Sequence, residues 1–215
     1  MSVSREERST ADRRIDTIAA ILLAVAAVAT AWSSYQASRW TGEQAKAFAT
    51  ASASRVESTR SSNLANAQTQ IDVAVFIQWV DSKLQGETDL AAFYEQRFRT
   101  EFKPAFQAWL RTDPFEDPSA PPSPFAMKEY KLAAAQEADD LSATAEASAE
   151  LARTYIQRAT NYVLGVVLFA TSLFFAGIST KLHSTRLRGV ILGVGCVVFV
   201  LAASWIATFP ISLSI

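Results

Sequence analysis

Apolar and polar positions fall in long blocks along this chain, and two blocks near its C-terminus govern the rest. One reads YVLGVVLFATSLFFAGI from Tyr162, the other GVILGVGCVVFVLAASWIATF from Gly189, and neither carries a formal charge. Each is about as long as a helix needs to cross roughly 30 Å of hydrocarbon. Only a helix can make that crossing alone, because its backbone groups are satisfied internally. A third block, IDTIAAILLAVAAVATAW, follows Arg13 and Arg14 and ends at Trp32. Ala29-Thr30-Ala31 would suit a signal-peptide cleavage site, but the run exceeds most signal cores and is read as an uncleaved anchor. The pattern divides the chain into a cytoplasmic tail (1–14), a first span (15–32), an extracytoplasmic helical domain (33–160), a second span (161–180), a cytoplasmic basic loop (181–188), a third span (189–209) and an extracytoplasmic tail (210–215).

The first span is Ala-rich, with Ala19, Ala20, Ala24, Ala27 and Ala31 at near-helical spacing. Small residues favour close helix packing over lipid contact, so this span is expected inside the bundle, with the Phe- and Leu-rich second span more lipid-exposed. Trp32, Tyr35 and Trp40 follow it as an interfacial aromatic belt would.

Beyond Trp40 the helix is expected to continue outward. Ala45, Ala49, Ser52 and Val56 step by four, three and four; Leu64, Ala67, Ile71 and Ala74 resume the pattern after a slip near Arg60–Asn63 that resembles a stutter. IDVAVFIQWV is apolar nearly all round and should be buried, and Gly86 is placed to end the helix in a left-handed cap. Thr88 or Asp89 can cap a following aromatic helix, with Leu90, Phe93, Phe98, Phe102, Phe106 and Leu110 on one face and Pro104 kinking or splitting it. TDPFEDPSAPPSPF is then a Pro-rich connector with Phe115 and Phe125 pinned into the core. Ser123-Pro124 should start a helix running unbroken to Thr180. Its seam, Ala134, Ala138, Leu141, Ala145, Ser148, Ala152, Tyr155, Ala159 and Tyr162, alternates four and three as in a coiled coil. The two long helices should pack antiparallel, and about Gln68–Gln85 should meet the aromatic helix. The fold class is therefore all-α: three transmembrane helices, with a helical hairpin or bundle formed by extensions of the first two.

Charge sets the expected topology. Residues 33–160 hold 13 Lys/Arg against 17 Asp/Glu, while 181–188 holds three bases and no acid. The positive-inside rule places Arg13 and Arg14, and the loop with Lys181, Arg186 and Arg188, in the cytoplasm. The two assignments agree, because three spans with an inside N-terminus require an inside second loop. The same five cations are expected at lipid headgroups. Cationic side chains are scattered among acidic ones, which argues against nucleic acid. Arg outnumbers Lys and Ala is abundant, a composition that suggests a GC-rich bacterial genome.

Chemistry is tested against the same topology. The chain has one Cys and one His. His183 is expected in the cytoplasm and Cys196 within the bilayer, so no triad assembles on one side. Zinc lacks ligands, and Glu137, Asp139 and Asp140 read as a solvated face. Asp72, alone in an apolar stretch, is expected to be a buried partner for an Arg such as Arg153. Apart from Asp16 at the edge of the first, the spans hold no Asp, Glu, Lys, Arg or His, which argues against a proton relay. Gly189-x-x-x-Gly193 permits close helix contact, either within the chain or with a second copy. No catalytic, cofactor or metal residue is assigned, and the chain is not expected to be an enzyme.

AWSSYQASRWTGEQA, DPFEDPSAPPSPFAMKEY and NYVLGVVLFATSLFFAGI together resemble an uncharacterised family of bacterial three-span membrane proteins, a domain of unknown function. The resemblance covers most of the chain from Ala31 and implies the same architecture, without an activity, ligand or site. The expected role is a non-enzymatic scaffold, sensor or accessory subunit of the inner membrane, with a homo-oligomeric pore as the alternative. Expected partners are the lipid bilayer and a second copy or another membrane protein.

Overall fold

The computed structural model describes residues 3–212, with side chains described for 12–212. Among the described residues the chain is all helical: α1 (Val3–Leu84), α2 (Thr88–Arg97), α3 (Lys103–Leu110), a 3-10 turn (Pro124–Ala126), α4 (Ala133–Ser179) and α5 (Thr185–Ile206). Three helices, α1, α4 and α5, are long and apolar enough to cross a membrane, which points to a membrane protein. The chain divides into two compact units, one built from residues up to Phe48 and from Ala149 onward, the other from Ala49–Ser148.

In the first unit, α1 buries or half-buries Ala19, Leu22, Ala26, Ala29, Ser33, Gln36 and Trp40, at steps that alternate three and four. Ala19 and Leu22 pack with Ala176 of α4 and Leu192 of α5. Ala37 and Trp40 pack with Ala159 and Tyr162 of α4 and Ile206 of α5. Low numbers of α1 therefore meet high numbers of α4, the antiparallel sense expected. The ranking of the spans differs from expectation. The apolar window of α4 is 33 % buried, against 17 % for α1 and for α5. Ala20, Ala24, Ala27 and Ala31 of α1 face outward, because a helix commits one stripe to its neighbours and the Ala residues lie on two stripes.

In the second unit, α1 presents Ala51, Ser54, Ser58, Ser61, Ala65, Gln68 and Asp72 inward, again alternating three and four. The expected seam through Ala45, Ala49, Ser52, Val56, Leu64, Ala67, Ile71 and Ala74 is exposed at every position, and the inward seam runs through 60–63 without a slip. Small hydroxyls explain the inversion. Ser58 Oγ donates to the Ala138 carbonyl of α4 at 2.8 Å, a contact that larger apolar side chains would block. On α4, Ala134, Ala138, Leu141 and Ala145 are buried or half-buried, as expected.

Gly86 closes α1 at φ +81°, the left-handed cap anticipated. The aromatic helix is split, but at Phe98–Phe102 rather than at Pro104, which sits in the first turn of α3 where its missing N–H is harmless. Glu87, not Thr88 or Asp89, occupies the N-cap of α2. The helix expected from Ser123-Pro124 makes one 3-10 turn and stops, and α4 begins only at Ala133. Residues 127–132 stay irregular while Tyr130 packs onto the aromatic cluster, and the Glu101 carboxylate accepts the Ala133 N–H at 2.9 Å.

The core of this unit is a ring cluster. Phe102 and Phe106 are fully buried, Phe76 meets Trp109 edge-on at 5.3 Å, and Trp79 meets Phe106 edge-on at 4.7 Å. Phe125 stacks on Phe102 at 5.2 Å. Phe115 touches Trp79 and Trp109 yet stays half in solvent, less pinned than expected. Ile71 and Ile77 are exposed, so IDVAVFIQWV is buried on one face only.

Candidate functional site

One end of the first unit is organised by Arg188. Its Nε donates to the Ser179 carbonyl at 3.1 Å, closing the end of α4. Its guanidinium pairs with Asp12 at 3.4 Å and with Asp16, both on α1. A cation expected at lipid headgroups is thus turned inward, and it draws the ends of three helices together. Arg13, Arg14, Lys181 and Arg186 remain exposed there, as does His183. The pairing was not legible in the sequence because Asp12 and Asp16 lie 176 and 172 residues from Arg188.

A second cluster holds the C-terminal tail. Gln36 is fully buried, and its carboxamide pairs with the Ser212 backbone. Tyr162 Oη donates to the Pro210 carbonyl at 3.2 Å. Trp32 and Tyr35 face outward with ring centroids 6.0 Å apart, where an aromatic belt would lie. Trp40 does not join them; it is buried, 5.5 Å from Tyr155, with the Arg158 guanidinium 4.7 Å over its ring.

The glycines exchange roles. A Cβ at Gly165 would lie 1.9 Å from Ile206 Cδ1, and one at Gly195 would lie 3.2 Å from Phe175 Cβ. Ser172 Oγ adds a hydrogen bond to the Gly195 carbonyl at 2.8 Å. A Cβ at Gly189 or Gly193 would meet nothing within 4 Å among the described residues, so neither serves a close approach between helices there. Sequence offered G-x-x-x-G as the signal, whereas the close approaches occur at two isolated glycines.

The second unit holds a buried polar network. Asp72, 2 % exposed, accepts Arg99 Nη1 at 2.9 Å and Tyr130 Oη at 3.1 Å. Arg99 is shared with Glu101. The expected buried acid is present, but its partner is Arg99; Arg153 is exposed and pairs with Glu150 at 3.2 Å. Burial raises the Asp72 pKa, and the Arg99 charge and the Tyr130 hydrogen bond oppose the shift. Burial also raises the Tyr130 pKa. The network ties α1, the α2–α3 link and the start of α4 through the bonds of Asp72 to Arg99 and Tyr130 and of Glu101 to Arg99 and the Ala133 N–H. Its chemistry is therefore that of a clasp.

Among the described residues no three His, Cys, Asp or Glu side chains gather as metal ligands would, and Cys196 is a free thiol. No family model matches the chain, and no curated protein or solved structure matches it. The family resemblance rests on the three quoted stretches alone.

Proposed function

We propose that this chain is a bacterial inner-membrane scaffold, sensor or accessory subunit that engages another protein through its non-membrane helical unit. In this reading the N-terminus and residues 181–188 are cytoplasmic and residues 33–160 extracytoplasmic, from the basic residues that flank the spans. The observation that carries it is a row of large apolar side chains on α1: Val56, Leu64 and Ile71 are each more than half exposed, on positions not used by the inward seam. Outside an apolar span such a row is expected to be covered by a partner. The test is purification in mild detergent of the parent and of Val56→Ser/Leu64→Ser/Ile71→Ser, with identification of what co-purifies. A partner retained by the parent and lost from the variant supports the role; identical retention by both removes it. Topology is read separately from Ser142→Cys and Ser184→Cys with an impermeant thiol reagent, since both serines are exposed. Labelling at position 184 in intact cells would reverse the orientation.

A homo-oligomeric pore is the second reading. It is favoured by the outward small-residue face of α1 (Ala20, Ala24, Ala27, Ala31) together with the open flank of Gly189 and Gly193. Native mass spectrometry separates the two readings, and a plain monomer counts against the pore.

A further inference from the structure

We infer that the end of the first unit where α1, α4 and α5 meet at Arg188 is a binding surface for anionic glycerophospholipid. The inference is independent of which side of the membrane this end faces. Three observations converge on it.

Charge is left over after the pairing among the described residues. Asp12 and Asp16 are both taken by Arg188. Arg13 and Arg14 adjoin those carboxylates in sequence, Lys181 lies two residues beyond Ser179, and Arg186 lies two before Arg188. Each is thus within two residues of Arg188 or of a residue that it touches, so the three helix ends bring them to one rim. All four are exposed, and none forms an ion pair with a described residue. The first turn of α5 adds its partial positive charge, because Ser184 makes no side-chain cap.

Shape supplies the second element. Arg13, Arg14, Thr17 and Ile18 border an open cleft of about 360 Å³. The Thr17 hydroxyl is engaged with the Arg13 carbonyl at 2.9 Å, which leaves the two guanidinium groups as the cleft's polar donors without a partner among the described residues. Ile18 and Ile21 are exposed directly below the arginines along α1. A ligand with a phosphate above and an acyl chain below matches that order, and a free anion would leave the apolar wall unused.

Position is the third. The cations stand at the ends of helices apolar enough to span a bilayer, at the depth where headgroups lie. Guanidinium forks suit phosphate oxygens, and a zwitterionic headgroup cancels the attraction with its own ammonium. Selection for net negative lipid follows.

The test uses the full chain, delipidated in a nonionic detergent, and native mass spectrometry with dioctanoyl phosphatidylglycerol or dioctanoyl phosphatidylcholine. The anionic lipid should be retained about tenfold over the zwitterionic one, as expected for several cations near an anionic surface. Retention should fall by about fivefold or more in Arg13→Gln/Arg14→Gln/Lys181→Gln/Arg186→Gln, and hold in Arg55→Gln/Lys83→Gln, which removes exposed cations of the other unit. If the fourfold variant does not insert, Lys181→Gln/Arg186→Gln alone should lower retention about twofold. Equal retention of the two lipids, or undiminished binding by the loop variant, overturns the inference. So does competition by glycerol 3-phosphate at the lipid's own concentration, which would mean that only the phosphate is bound.

Discussion

The carboxamide of Gln36 reads the backbone of Ser212 twice: the Ser212 N–H donates to Oε1 at 3.0 Å, and Nε2 donates to the Ser212 carbonyl at 3.4 Å. A side chain on α1 thereby does for the tail what a neighbouring strand would do. Both partners are buried, so the groups have no solvent to fall back on. Gln36→Leu keeps the volume and removes both bonds, and should destabilise by about 1–3 kcal/mol. Carboxypeptidase should then trim the tail faster than in the parent. An unchanged trimming rate would show that Tyr162 and packing hold the tail alone.

Gly165 should resist substitution while Gly189 and Gly193 accept it. A methyl group at Gly165 would lie 1.9 Å from Ile206 Cδ1 and 3.1 Å from its Cγ1, so the Ile206 side chain must leave its packed position to admit it. Gly165→Ala is expected to cost about 1–3 kcal/mol, the usual range for overpacking. Ile206→Val removes the offending carbon, so the double variant should recover part of the loss. Gly189→Ala and Gly193→Ala should leave the monomer's thermal stability unchanged. Any oligomer that dissociates in these two variants would locate its seam on α5.

Asp72 and Asp117 should titrate in opposite directions from the ordinary aspartate value. Burial raises Asp72, whereas hydrogen bonds from the Ser119 side chain and backbone lower Asp117. An acid with a raised native pKa binds its proton more tightly folded than unfolded. Asp72 therefore detracts from stability above its native pKa, and the penalty fades as pH falls through that value toward 3.8. Asp117 contributes in the other sense: its support is present above the unfolded value and is lost as pH falls through its native one. Carboxyl-carbon NMR of the two side chains checks the order. Asp72→Asn should flatten the acid limb attributable to Asp72 and keep the contacts to Arg99 and Tyr130, whereas Asp72→Ala should cost about 1–3 kcal/mol by stranding them.

Phe102 is the ring on which the second unit depends. It is fully buried and lies within 6.1 Å of Phe76, Phe98, Phe106, Phe125 and Tyr130. Phe102→Ala should cost about 3–5 kcal/mol. The emission of Trp79 and Trp109 should shift to the red, and Phe102→Leu should show a smaller change. A variant with native emission and melting would remove the cluster from its central role.

The sequence by itself determined the helical class, the three helices long and apolar enough to cross a membrane, the left-handed end of α1 at Gly86 and the inward face of α4. Each of these follows from uninterrupted apolarity, from a residue that tolerates φ above zero, or from a heptad whose apolar and small members coincide. It did not determine which face of α1 turns inward. There two stripes are rich in small residues, the expected one interrupted by Val56, Leu64 and Ile71 and the other carrying Ser54, Ser58 and Ser61, and it is the second that turns inward. Tertiary structure made that decision, because backbone approach and bonds such as Ser58 to the Ala138 carbonyl need small side chains. It also decided the pairings of Arg188 with Asp12 and Asp16, of Arg99 with Asp72, and of Gln36 with Ser212. The partners in each pair are separated by 27 to 176 residues, and local pattern carries no record of contacts made only when helices meet.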